Sequence, residues 1–267
     1  RHGYELWRTD GTRRGTRMVR DIDPGWSVAW WAPPVVAGDY LYFVAARKGE
    51  GLELWRTDGT RKRTQLVRDI RPGPKGSQPE ELTAVGDLLY FTAEDAEHGR
   101  ELWRTDGTRK GTTLVADLSP GPTPSALGDL VALEDALYFT ALESGGLWRT
   151  DGTADGTKRV HLGAPDLVTA DDPAGPGRNW SECPTVAARD GRLYLTYDEG
   201  VHGNEVWMID GATGDSALVA DIRPGPRGSK PEWLTIADSV LYLTAADGEH
   251  GRQLWALPLE VPTEEAS

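Results

Sequence analysis

One octapeptide, repeated along the whole chain, limits what this sequence can fold into more than any other feature. Glu5-Leu6-Trp7-Arg8-Thr9-Asp10-Gly11-Thr12 recurs unchanged at 53–60 and 101–108, and in eroded form at 147–153, 205–211 and 253–255. Its tryptophans stand at 7, 55, 103, 148, 207 and 255, spaced 48, 48, 45, 59 and 48 residues apart. A period in the forties marks an array of one supersecondary unit.

The copy at 77–118 reads as four short strands. Segments 81–85, 88–93, 101–105 and 113–118, here A, B, C and D, have strand length and are bounded by turn residues. The A–B links are Gly38-Asp39, Gly86-Asp87, Glu134-Asp135, Asp190-Gly191 and Asp238-Ser239, the chemistry of two-residue hairpins. The C–D links carry Asp-Gly, where Asp bonds its own backbone and Gly supplies positive φ. Strand B is apolar at successive positions (Leu41-Tyr42-Phe43, Leu137-Tyr138-Phe139), as in a strand covered on both faces. The expectation is an all-β fold, a β-propeller of four-stranded antiparallel blades.

The chain opens on strands C and D and closes on A, B and C. We expect one ring in which the last A–B hairpin, 239–246, pairs with an N-terminal strand, most simply 16–22. That gives five visible blades, or six with a further hairpin upstream of Arg1. The whole chain reads as a single propeller domain. Its repeats run near 1–29, 30–77, 78–125, 126–181, 182–229 and 230–257, with 258–267 as a tail.

Composition excludes several classes. A formal charge of -13 over 267 residues disfavours nucleic acid and anionic membrane surfaces, which clustered Lys and Arg would seek. No apolar run approaches the ~20 residues of a membrane helix, so no membrane insertion is expected. One cysteine, Cys183, precludes an internal disulfide framework and a four-cysteine zinc site.

The octapeptide, with Asp-Ile/Leu-x-Pro-Gly at 21–25, 69–73, 117–121 and 221–225 and Gly-Ser-x-Pro at 76–79 and 228–231, resembles the bacterial ELWxxDGT repeat family. The resemblance covers nearly the whole chain. It implies a propeller-like protein, exported or held at the cell envelope, and does not imply an enzyme. Unit four departs most, with Gly146 in place of the motif Glu.

Candidate chemistry is sparse. Motif tryptophans recurring at one strand position belong between sheets, where aromatic side chains dominate burial. His2, His98, His202 and His250 each precede Gly in the B–C loop. Asp95, His98 and Glu101 could form a metal site within one blade, since ligands must converge to about 2 Å from the ion. The bland reading is a histidine fixing its own loop. No Gly-x-Ser-x-Gly or phosphate-binding loop occurs, and Cys183 has no activating base beside it. We therefore assign no catalytic residue, metal or cofactor.

The residues that break the period carry more information. Trp26, Trp30, Trp31, Trp180 and Trp233 lie outside the motif, in D–A connections or at the start of strand A. Strand order sends the D–A and B–C loops to one end of every blade. The long insertion, 163–181, shares that end, and loops on a rigid scaffold are where function concentrates. These five tryptophans are the expected contact residues for a protein, peptide or glycan partner of a binding or scaffold propeller. Two alternatives remain open: a hydrolase-like enzyme with carboxylates such as Asp171, Asp172 and Glu182 at the channel mouth, and a structural subunit of a cell-surface assembly.

Overall fold

The computed structural model describes residues 5–23, 32–141, 146–160 and 186–259. They form 21 strands and, among the described residues, no helix. The fold class is as expected: all-β, in antiparallel sheets of the β-propeller type, with strand order A–B–C–D in every four-stranded sheet.

The chain divides into two compact units, Arg1–Ser144 with Trp148–Lys158, and Gly145–Leu147 with Arg159–Ser267. In the first, β1 (Trp7–Arg8) and β2 (Arg17–Met18) form a two-stranded C–D sheet. Next come β3 (Val35–Ala37), β4 (Tyr40–Arg47), β5 (Gly51–Thr57) and β6 (Gln65–Leu66). A second full sheet holds β7 (Glu80–Val85), β8 (Leu88–Asp95), β9 (Gly99–Thr105) and β10 (Thr113–Ala116). The third is β11 (Leu127–Leu133), β12 (Ala136–Ala141), β13 (Leu147–Thr150) and β14 (Lys158–Arg159), whose outer strands reach the division between the units. The second unit contains β15 (Val186–Arg189), β16 (Arg192–Asp198), β17 (Asn204–Asp210) and β18 (Ser216–Ala220), then a three-stranded sheet of β19 (Glu232–Ala237), β20 (Val240–Ala246) and β21 (Arg252–Pro258).

The hairpins follow the turn chemistry. The first turn residue has positive φ in every described A–B link: Gly38 at 53°, Gly86 at 56°, Glu134 at 52°, Asp190 at 48° and Asp238 at 50°. Mirror-image turns of this kind match the twist of the strands they join.

Successive sheets pack through one recurring arrangement. Tyr42 and Leu54 of one sheet meet Leu89, Phe91, Ala93 and Trp103 of the next. Tyr90 and Leu102 then meet Leu137, Phe139, Ala141 and Trp148. The same set recurs as Tyr194 and Val206 against Leu241, Leu243, Ala245 and Trp255. Polar staples cross these contacts: Arg68 donates to the Thr112 carbonyl at 2.6 Å, and Arg20 to that of Thr64. Trp7 departs from the expected burial at 58% exposed, because in the described residues no sheet covers its face.

The expected pairing of 239–246 with 16–22 is not the one formed. Strand β20 lies between β19 and β21, and Arg17–Met18 of β2 pairs with Trp7–Arg8. The chain's own third strand, Arg252–Pro258, has seven register partners on β20, from Val240↔Pro258 to Ala246↔Arg252, and so takes the place allotted to the N-terminal strand.

Candidate functional site at the loop end

At the loop end, three of the sheets tie the D–A connection down with a buried carboxylate, that of the motif glutamate. Glu53 is 1% exposed, and one oxygen accepts bonds from the Ser77 and Arg71 N–H groups at 2.9 and 3.2 Å. The other accepts from the Ile70 N–H at 3.3 Å and the Ser77 hydroxyl at 2.5 Å. Glu101 holds Ser125 and the Leu118 N–H, and Glu205 holds Ser229 and the Arg223 N–H, in the same way. Burial pushes Glu53 and Glu101 up to about 7, against the bonds from these donors, and raises Glu205 for the same reason. A buried carboxylate needs such a set of donors, because an unpaired one is costly.

Ser77 also links neighbouring sheets, since its carbonyl accepts from the Glu94 N–H at 2.8 Å; Ser229 does the same with Ala246 at 2.9 Å. Each latch therefore sets where the following strand A begins. Strand A then bulges. The register shifts between Glu80 and Thr83, between Gly128 and Val131, and between Glu232 and Thr235. Inside each bulge stands a non-glycine residue in left-handed conformation: Glu81 at φ 54°, Asp129 at 50° and Trp233 at 60°. Three residues earlier Gln78, Ala126 and Lys230 are left-handed too, at 48°, 47° and 50°. Bulges re-aim side chains, and strain of this kind persists only where surrounding bonds over-determine it.

In the first unit the bulges present Glu81 and Asp129 on packed neighbouring strands, bridged by the Thr83 hydroxyl donating to the Leu130 carbonyl at 3.2 Å. Burial pushes the Asp129 carboxyl up, and the Glu81 charge pushes it further, against a bond from Thr140. In the second unit the bulge presents Trp233, 75% exposed, beside an ion pair of Glu232 with Arg252 at 3.1 Å. The Arg252 guanidinium also donates to the Lys230 carbonyl at 3.0 Å.

Of the five tryptophans singled out from the sequence, Trp233 lies at the loop end with an open indole. Trp26, Trp30, Trp31 and Trp180 fall outside the described residues, as do the 163–181 insertion, Asp171, Asp172, Glu182 and Cys183. The histidine loops take their local reading. His98 pairs with Asp95 at 2.8 Å, His250 with Asp247 at 2.7 Å, and His202 with Glu199. Glu101 turns inward to Ser125, so Asp95, His98 and Glu101 do not converge on one point. The acidic bulge residues were missed by sequence reasoning. Glutamate and aspartate do not advertise positive φ as glycine does, and the one available signal was register: they fall at the same strand-A position as Trp233.

At the opposite end of the first unit lie an acidic hollow of about 430 Å³ beside Asp39, Asp87 and Asp106, and a basic one of about 450 Å³ beside Arg8, Arg14 and Arg17. The charged groups there are turn and rim residues.

No protein-family model matches the chain, and no curated protein matches it either. Among solved structures it is similar to one from a study of two prolyl endopeptidases, with TM-score 0.50 and 15% identity over 85% of this chain and 32% of that one. A puromycin hydrolase mutant complexed with PGG gives TM-score 0.48 and 15% identity, covering 94% and 39%. TolB from Acinetobacter baumannii gives 0.38 and 15%, covering 85% and 55%. The chain thus spans less than two thirds of each of these proteins. At such identity the prolyl endopeptidase likeness shows the fold alone, the all-β β-propeller already described.

Proposed function

We propose that this chain is a binding propeller of the ELWxxDGT type, exported or envelope-associated, that engages a glycan, peptide or protein partner through its loop end. The observation that carries this reading is Trp233. Its indole is 75% exposed and stands on a bulge of the sheet, while the motif tryptophans Trp55, Trp103 and Trp207 are 3–6% exposed. An exposed aromatic fixed on rigid backbone has little freedom to lose on binding, and suits both a sugar platform and a protein hot spot. Glycan and peptide arrays on the purified chain should give hits that Trp233→Ala weakens at least tenfold without moving the melting transition. Binding unchanged by that substitution would refute the role given to Trp233.

Hydrolysis is a second reading, because Glu81 and Asp129 stand at equivalent bulges of packed neighbouring strands, and a pair of carboxyl groups is the equipment of glycoside hydrolysis. Turnover of a glycan hit, abolished by Asp129→Asn, would replace the binding reading with this one.

A further inference from the structure

Asp-Gly occurs eight times, at Asp10, Asp58, Asp106, Asp151, Asp155, Asp190, Asp210 and Asp247. The dipeptide has a chemistry of its own, because glycine puts no side chain in the way when its amide nitrogen turns back on the preceding carboxyl. Whether the two groups can meet depends on what already holds them, and local side-chain bonds to the backbone can hold both.

Seven of the eight are held. At Asp10, Asp58, Asp106 and Asp151 the glycine N–H donates to the threonine hydroxyl just before the aspartate, at 2.9–3.0 Å. One oxygen of each of these carboxylates also accepts from the N–H and hydroxyl of the threonine two residues on, at 2.7–2.9 Å. The Gly156 N–H donates to the Thr153 hydroxyl at 2.9 Å, and the Gly211 N–H to the Gly191 carbonyl at 2.7 Å. Asp247 accepts from the His250 and Glu249 N–H groups at 2.8 Å each and from the His250 ring at 2.7 Å, bonds that keep its carboxyl far below the usual carboxylate range.

Asp190-Gly191, in the two-residue link between β15 and β16, has neither restraint. The Asp190 side chain is 68% exposed, and among the described residues its one bond comes from the side chain of neighbouring Arg189 at 2.9 Å. Exposed pairs of this kind contribute little. No acceptor among the described residues holds the Gly191 N–H.

We propose that Asp190-Gly191 is a site of spontaneous modification, at which the chain isomerises to isoaspartate through a cyclic imide. The Gly191 nitrogen attacks Cγ of the protonated Asp190 carboxyl. A C–N bond forms, the Cγ–OH bond breaks, and the amide proton leaves with the hydroxyl as water. Water then opens the ring at either carbonyl, which restores aspartate or routes the main chain through Cβ and Cγ. The net change is an isomerisation that needs no oxidant and leaves the mass unaltered. The extra main-chain carbon falls in a link whose length sets the register of β15 on β16, beside the Gly191 carbonyl that braces Gly211.

The test compares the folded chain, kept near pH 6 at 37 °C, with a sample kept unfolded in guanidinium. Both are digested, and each peptide is assayed for isoaspartate by methyl transfer from an isoaspartyl methyltransferase. All eight Asp-Gly peptides should score in guanidinium, whereas in the folded chain the Asp190 peptide should exceed every other at least tenfold. Asp190→Glu should remove that signal, since the larger imide ring forms far more slowly. It should also fold, because Glu134 takes the same turn position at φ 52°. Thr9→Ala with Thr12→Ala, at an exposed turn, should raise isoaspartate at Asp10 at least tenfold. Isoaspartate spread evenly over the folded chain, or centred on another Asp-Gly, would overturn the proposal. So would an Asp10 yield indifferent to the loss of its threonines.

Discussion

Each residue of the octapeptide has a separate physical task. Glutamate latches the Pro-Gly loop, leucine and tryptophan fill opposite faces of the blade, and arginine lies over the following turn. The Thr-Asp-Gly-Thr stretch closes that turn on itself. Asp106 accepts from the backbone and hydroxyl of Thr108 at 2.7 Å each, Thr105 bonds Thr112 at 2.7 Å, and the Thr112 hydroxyl returns to the Thr108 carbonyl at 2.7 Å. Gly107 is doubly required, by its φ of 85° and by the approach of Tyr42 and Arg56. Left-handed backbone costs a non-glycine residue about 1–2 kcal/mol. Gly107→Ala should exceed that range in urea unfolding, whereas Gly86→Ala, at φ 56° with nothing within 4 Å of its Cβ, should stay inside it. Equal losses at the two sites would mean that the turn does not press on its neighbour.

At the scale of the strand and sheet, stability lies between sheets. Trp103 is 5% exposed, packs with Leu89 and Phe91 across from Tyr42 and Leu54, and has the Arg68 guanidinium 5.6 Å from its ring centre. Trp103→Ala should cost about 3–5 kcal/mol in denaturant unfolding, the usual loss for emptying a core aromatic site, and Trp233→Ala under 1 kcal/mol, as for surface positions generally. A melting temperature unaffected by Trp103→Ala would place the motif tryptophan outside the core. The strands and hairpins were legible because a repeat shows the same apolar pattern and turn residues five times over. The strand-A bulges were not, because their left-handed positions hold Glu81, Asp129 and Trp233, none of which signals its backbone. Sequence placed 16–22 beside the last hairpin, but of that segment only Arg17–Met18 forms a strand, paired with Trp7–Arg8, and the local connection from β20 to β21 prevailed. Trp233 was legible as a tryptophan outside the period. The acids beside the equivalent bulges were obscured by the many other carboxylates of an acidic chain.

On the scale of the whole molecule, those carboxylates make stability depend on pH in an unusual direction. Most act as expected. Burial works to raise the Asp95 carboxyl, but bonds from the His98 ring and from the His98 and Glu97 N–H groups lower it further; Asp106 is likewise lowered, by Thr108. Such groups matter only in acid. Glu53 and Glu101 run the other way, pushed up to about 7, whereas an unfolded chain holds glutamate near about 4.3. Between those values the folded state keeps protons that the unfolded state has lost. Their contribution is therefore fully present below the unfolded value and is lost as pH rises through about 7. His98 and His202, raised by their bonds to Asp95 and Glu199, add to the same trend. So does the growing repulsion of a chain at net -13, but salt screens that component and leaves the buried one. Melting temperature in 0.3 M salt should accordingly fall from pH 5 to pH 8. Glu53→Gln with Glu101→Gln should flatten most of that slope, even if the double variant melts lower overall. A melting temperature that climbs over this interval, or a slope the double variant leaves intact, would mean that the donors around each carboxylate outweigh its burial and keep both groups ionised.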